Sequence, residues 1–247
     1  MWRSAVRLVP AARFARPVAR CTIRLLSTPA ELRARALAII EREFAGPQET
    51  AEAVKMFASA AERGDAEADF YLGLAYHGLL EGDPVELDAE RATRCYRRAA
   101  EGGYAPAMFN LALACKKGDG LPDGPDPAEA TRWYVRAAEA GDARGMFSLG
   151  LARDPLHRDV QWPEIDKDAN AAAGWYAKAR EAGHVKASTN LGILYWEGLS
   201  DGAAGMYEEA RKRFARELWE EAAEAGVPEA RRCLAQAEDV WRDDPGP

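Results

Sequence analysis

From about residue 50 onward, apolar and small residues return every three or four positions, the spacing of one face of an α-helix. The whole pattern then returns about every forty residues. Its fullest statement is Trp133-Tyr134-Val135-Arg136-Ala137-Ala138-Glu139-Ala140-Gly141. Four further versions end at Gly64, Gly103, Gly183 and Gly226, so the closing glycines stand 39, 38, 42 and 43 residues apart. In each copy an aromatic residue (Phe57, Tyr96, Tyr134, Tyr176, Trp219) precedes an alanine by three positions (Ala60, Ala99, Ala137, Ala179, Ala222). A second alanine lies seven before the first, at Ala53, Ala92, Ala130, Ala172 and Ala215. Spacings of four and three put all three positions on one helical face. Alanine lets two helix backbones approach, the aromatic supplies most of the buried area, and a glycine at the C-terminus takes a positive φ at low steric cost.

A shorter helix precedes each of the last four copies. Its frame is a small residue, three positions, a leucine and another small residue: Ala68…Leu72-Gly73, Ala107…Leu111-Ala112, Gly145…Leu149-Gly150 and Ala187…Leu191-Gly192. Glycine-bearing loops join the two helices. The pattern predicts one stack of helix pairs over 29–242, with units at about 29–64, 66–103, 105–141, 143–183 and 186–226. The opening pair is atypical: a helix over Pro29–Phe44, started by a Thr28/Glu31 capping box, and a second over Gln48–Arg63. A charged helix at 228–241 closes the stack, and 243–247 reads as a disordered tail. A single pair cannot bury such a face, so neighbours must stack.

Two stretches carry a resemblance. Leu191-Gly192-Ile193-Leu194-Tyr195-Trp196-Glu197-Gly198 fits Leu-Gly-x-x-Tyr-x-x-Gly, and residues 133–141 fit Trp-Tyr-x-x-Ala-Ala-Glu-x-Gly. Over about residues 50–226 the chain resembles the Sel1-like repeat family, relatives of the tetratricopeptide repeats. It departs from the family pattern at Gly78, one residue early, and at Arg153-Asp154-Pro155, which replaces the tyrosine turn. The resemblance implies an all-α, right-handed solenoid of antiparallel helix pairs that binds other proteins as an adaptor or assembly scaffold. The alternatives are an accessory subunit of a larger assembly and a hydrolase. By analogy with the tetratricopeptide groove, the residues just before the frame leucine, Tyr71, Asn110, Ser148 and Asn190, are candidate partner-binding positions; the alternative is solvated polar residues beside an apolar stripe. The long segment Asp154–Asp166 holds His157 and Trp162, candidate contact residues or a tolerated insertion.

Charge changes the picture at the N-terminus. Residues 1–28 carry six arginines and no acid, and Phe14, Val18, Cys21 and Leu25 fall on a different side from Arg13, Arg16, Arg20 and Arg24. That is the signature of a mitochondrial presequence; a disordered basic tail on a cytoplasmic protein is the alternative. Without this segment 27 basic residues face 40 acids, a net charge of −13. Such a chain repels nucleic acid and favours neutral or basic protein segments. No apolar run approaches the ~18 residues of a membrane span.

Chemistry has little to rest on. The four cysteines share no C-x-x-C spacing, although Cys95 and Cys115 could meet across a unit boundary. Asp154, His157 and Asp159 offer three potential metal ligands within one loop, without a visible second shell. No nucleophile–base motif occurs, so neither catalysis, nor a cofactor, nor a metal site is expected. The glutamates two before each closing glycine (Glu62, Glu101, Glu139, Glu181, Glu224) read as exposed turn residues. If the basic segment is a presequence, N-terminal sequencing of protein purified from mitochondria will begin at Ser27; an intact Met1 would overturn the assignment.

Overall fold

The computed structural model describes residues 28–42, 46–80, 85–160, 162–204 and 206–243. The expected presequence (all but Thr28) and most of the C-terminal tail lie outside these residues. Twelve α-helices and no strand occur among the described residues: α1 (Pro29–Ile40), α2 (Pro47–Ala61), α3 (Ala66–Tyr76), α4 (Ala89–Glu101), α5 (Ala105–Lys117), α6 (Pro127–Glu139), α7 (Ala143–Arg153), α8 (Ala169–Glu181), α9 (Val185–Glu197), α10 (Asp201–Ala204), α11 (Glu208–Glu224) and α12 (Pro228–Asp243). Apart from the short α10, each helix packs on its predecessor and its successor in sequence. The result is the right-handed α-solenoid of antiparallel pairs, with α1/α2, α3/α4, α5/α6, α7/α8 and α9/α11 as units and α12 after them.

Local chemistry explains where the helices start and stop. Thr28 and Glu31 form the expected capping box, each side chain accepting the other's backbone N–H, at 3.2 and 2.8 Å. α1 ends at Ile40, four residues short of the expected end. Asp65 and Asp142 cap the first helices α3 and α7, and Asp88, Asp126 and Asp168 cap the second helices α4, α6 and α8. All five closing glycines take φ between +86° and +94°. The residue after each donates its N–H to the carbonyl of the frame alanine: Asp65 to Ala60, Tyr104 to Ala99, Asp142 to Ala137, His184 to Ala179 and Val227 to Ala222, at 2.8–3.2 Å. This is a Schellman-type closure, which leaves the preceding glutamate exposed in every copy.

The interior is the predicted face. All ten frame alanines and all five anchor aromatics are buried. The reason for the glycine after the frame leucine becomes visible here. A Cβ at Gly73 would stand 2.6 Å from the Tyr96 ring, at Gly150 2.6 Å from Tyr176, and at Gly192 2.5 Å from Trp219. The rings of Tyr96, Tyr176 and Trp219 therefore lie directly on the backbones of their own first helices.

Cys95 and Cys115 are both buried and free; burial pushes their thiols up to about 11 and about 12. The closing helix α12 carries the first-helix frame again, at Ala230…Leu234-Ala235. In α12 Leu234 is only half-buried and Ala235 exposed, whereas the frame leucines of the other units are buried.

An alanine in mid-helix usually gains about 1 kcal/mol over glycine. At Gly150 the added methyl meets a ring that is fixed on other sides, and overpacking costs about 1–3 kcal/mol. Gly150→Ala is therefore expected to lower stability, as is Ala137→Leu by a similar amount. A denaturant melt in which either variant matched the wild type would mean the packed face is wrongly assigned.

Candidate protein-binding face

The turn from each second helix to the next first helix is short in every unit, and it fixes a register. Seven residues separate the anchor aromatic from the closing glycine, and seven more lead to the position before the next frame leucine. The aromatic and that position are thus paired across each unit boundary: Phe57 with Tyr71, Tyr96 with Asn110, Tyr134 with Ser148, Tyr176 with Asn190 and Trp219 with Cys233. The loops within units vary in length, so they impose no such register.

Several of these pairs are in direct contact. The rings of Phe57 and Tyr71 stack with centroids 5.1 Å apart and planes at 14°. Asn110 hydrogen-bonds the Tyr96 hydroxyl, and Asn190 Nδ2 donates to Tyr176 Oη at 3.2 Å. The candidate residues Tyr71, Asn110, Ser148 and Asn190 are all half-buried and stand one per unit on the first helices. A bond to tyrosine uses only one of the several hydrogen-bonding sites of an asparagine amide. The two asparagines therefore link units while keeping hydrogen-bonding capacity.

A second position meets the same rings from within the unit, five residues after the frame leucine. His77 Nδ1 lies 3.4 Å from Tyr96 Oη. Asp154 accepts from Tyr176 Oη at 2.9 Å. Trp196 packs against Trp219 with centroids 5.3 Å apart. In the remaining unit this position is the exposed Lys116, and Tyr134 stacks instead on Trp162, at 4.5 Å and 21°. Burial raises the Tyr134 hydroxyl to about 12 and pushes those of Tyr96 and Tyr176 further up. All three stay protonated, and Tyr176 donates to Asp154.

The 154–168 segment is consequently part of the stack. Asp154 is 1% exposed and accepts from the Leu156 N–H at 2.8 Å and from Tyr176, with His157 Nδ1 3.0 Å away. Burial by itself would raise this carboxyl; the bonds from His157, Leu156 and Tyr176 outweigh it and hold the group below the ordinary carboxylate range. The Lys167 ammonium donates to the carbonyls of His157 and Val160 at 2.8 and 2.7 Å, drawing the loop together. Of the two contact candidates, Trp162 is thus turned onto Tyr134 and His157 onto Asp154. Among the described residues no group of three or more His, Cys, Asp or Glu is placed to hold a metal. No helix among them is long and apolar enough to cross a membrane.

Lys167 and the capping aspartates escape a search for repeated residues because they act through the backbone. A positional clue does exist for the caps. Asp88, Asp126 and Asp168 each also donate a backbone N–H to the carbonyl four residues after the frame leucine, on Tyr76, Cys115 and Arg153, at 2.7–2.9 Å. In the α9/α11 unit the guanidinium of Arg211 does this instead, donating to Tyr195 at 3.1 Å and to Trp196.

Comparison with known proteins places these features in a family. A family model described as Sel1 repeat matches residues 37–65, 66–104, 105–142, 161–184 and 185–227. The interval left unmatched between these copies, 143–160, is α7 and the start of the long loop. Among solved structures, a Sel1 repeat protein from Oxalobacter formigenes is 27% identical, with a TM-score of 0.71 over 87% of this chain and 57% of that one. A protective antigen of uropathogenic Escherichia coli with an SLR fold is 26% identical, with a TM-score of 0.66 over 83% of this chain and 40% of that one. The chain thus spans well under two thirds of either protein. An immunity protein from Pseudomonas aeruginosa, 17% identical over 85% of this chain and 70% of that one, shares the fold alone, with a TM-score of 0.50. The comparison with curated proteins finds no match.

Asp154→Ala removes the acceptor shared by Tyr176 and the loop and is expected to cost about 1–3 kcal/mol, the penalty for buried partners left unsatisfied. The sign with pH follows from the lowered carboxyl. The stabilisation by Asp154 is fully present above the unfolded-state value near ~4 and is lost as pH falls through the folded value. Melts of wild type and variant should therefore converge in acid; a gap that stayed constant from neutral pH to pH ~3 would contradict this assignment.

Proposed function

The chain belongs to the Sel1 repeat family, and on that premise we propose that it is a scaffold that holds one or more other proteins along its first-helix face, in mitochondria. Sel1 repeats generally mediate protein binding. The observation that carries the reading here is the row Tyr71, Asn110, Ser148 and Asn190: one half-buried residue in each unit from the second to the fifth, in fixed register. The frame alanines of the second helices and the closing glycines recur unchanged. The row instead combines a constant position with a side chain that varies among tyrosine, asparagine and serine, which is what selection of a particular partner requires.

The class of partner follows from charge. With 27 basic residues against 40 acids beyond residue 28, the solenoid attracts neutral or basic segments. The mitochondrial assignment is supported by the arginine-rich, acid-free segment 1–28.

Tagged protein recovered from mitochondria should bring a partner with it. Co-purification in fixed proportion identifies an accessory subunit, and varied substoichiometric capture identifies an adaptor. The double variant Asn110→Ala/Asn190→Ala is expected to weaken partner binding at least tenfold. Its stability should fall only by the ~1 kcal/mol that each neutral hydrogen bond contributes. Undiminished capture by this variant, with its fold intact by circular dichroism, would refute the first-helix face as the binding surface.

A further inference from the structure

Along the stack, each anchor ring is met by groups that the chain itself supplies. Tyr96 has His77 and Asn110, Tyr134 has Trp162, and Tyr176 has Asp154 and Asn190. At Trp219 the corresponding positions are Trp196 and the small Cys233. There, among the described residues, a cleft of about 300 Å³ lies between α9, α11 and α12, lined by Trp196, Trp219, Ile193 and Cys233, with exposed Glu197 and Gln236 beside them.

Size, chemistry and internal precedent agree on an occupant. Ligand pockets span about 300–1,000 Å³, so this one holds a single large side chain rather than an extended molecule. Two indoles, the sec-butyl side chain of Ile193 and an uncharged thiol make its walls apolar. The Trp219 indole spends its N–H on the Thr189 carbonyl at 3.1 Å and is buried, so it forms the floor of the cleft, and the half-buried Trp196 offers the ring surface. The chain itself shows what such a surface accepts: at Tyr134 an indole from a neighbouring loop lies stacked at 4.5 Å. The mouth adds the exposed Glu197 carboxylate, while the nearby Lys212, which stands over the Trp196 ring, is paired with Glu208 at 2.6 Å. Residues flanking the inserted side chain are then best basic.

We propose that the cleft between α9, α11 and α12 receives one bulky aromatic side chain from a basic segment of a protein partner. This rests on the scaffold reading and locates its anchor at the last unit. Trp196 supplies the stacking surface above the buried Trp219, Cys233 leaves the space, and Glu197 selects the flanking charge.

The test uses the full chain and three probes: the amide of acetyl-Lys-Lys-Trp-Lys-Lys, the same peptide with alanine in place of tryptophan, and N-acetyl-tryptophanamide. Titrations followed by NMR should show the tryptophan peptide binding at least tenfold more tightly than either of the others. Cys233→Phe, which fills the cleft, should weaken that peptide at least tenfold, and Glu197→Lys several-fold. Trp196→Ala gives a second test of the apolar wall should Cys233→Phe melt early. Equal binding of the tryptophan and alanine peptides would overturn the proposal. So would N-acetyl-tryptophanamide binding as tightly as the peptide, which would mark a small-molecule pocket. Tighter peptide binding after removal of residues 1–27 would make the chain's own leading segment the occupant, and self-association abolished by Cys233→Phe would make it a second copy; either outcome overturns a partner site. An inert cleft with partner loss in the Asn110/Asn190 variant sinks this inference and leaves the scaffold face standing. Cleft-dependent peptide binding with undiminished partner capture in that variant sinks the face alone.

Discussion

The ring of Tyr176 lies on the backbone of α7 at Gly150, where even a methyl group would come within 2.6 Å of it, and the same contact is built by Tyr96 on Gly73 and Trp219 on Gly192. The rest of the stack depends on this arrangement. A helix with no side chain at one point gives a ring access to its backbone, and the alanines three after and four before that ring let the two helices close together over their length. The ring is large enough to emerge at the unit boundary, where its polar end meets the next first helix. One residue thus joins two helices of its own unit and the helix that follows. That gives the nearest-neighbour cohesion on which a solenoid relies, since no element reaches further along the stack.

The same contact explains why the loops differ so much in tolerance. Between units, the glycine turn closes on the frame alanine's own carbonyl, so an extra residue would break both the hydrogen bond and the fourteen-residue register from ring to partner. Within units the two helices are held by the ring, and the connection needs only to span the gap. It lengthens freely, from 118–126 in one unit to 154–168 in another. Variation is therefore confined to one edge of the stack and to the few positions that face the rings from outside the frame.

Where a copy lacks a frame residue, another group takes over the interaction. Arg211 supplies the donor that Asp88, Asp126 and Asp168 provide elsewhere. Trp162 covers the ring that Lys116 leaves bare. Asp154, in the place of a histidine or tryptophan, turns a ring contact into a hydrogen-bonded chain from Asn190 through Tyr176 to the loop. The unpaired buried surface that would otherwise result is costly. These repairs show that what the stack requires at each seam is a satisfied ring, and that the identity of the satisfying group is free to change. At Trp219 the small Cys233 leaves a cleft beside the seam even though the ring itself is buried.

The sequence by itself determined the helix pairs, their order, the buried face and the turns between units. Those features depend on short-range spacing: alanine and aromatic positions on one helical face, and a glycine seven residues past each ring, fix local geometry with no help from distant residues. It also placed Tyr71, Asn110, Ser148 and Asn190 on one position of each first helix. It could not show that Asn110 and Asn190 bond to tyrosines of the preceding unit, that Trp162 folds back onto Tyr134, or that Leu234 of α12 stays half-bare. Those outcomes depend on the path of irregular loops and on which groups meet after stacking, and no periodicity records either. Tertiary structure alone decided them, because a side chain's partner across a unit boundary is set by the packing of three helices at once.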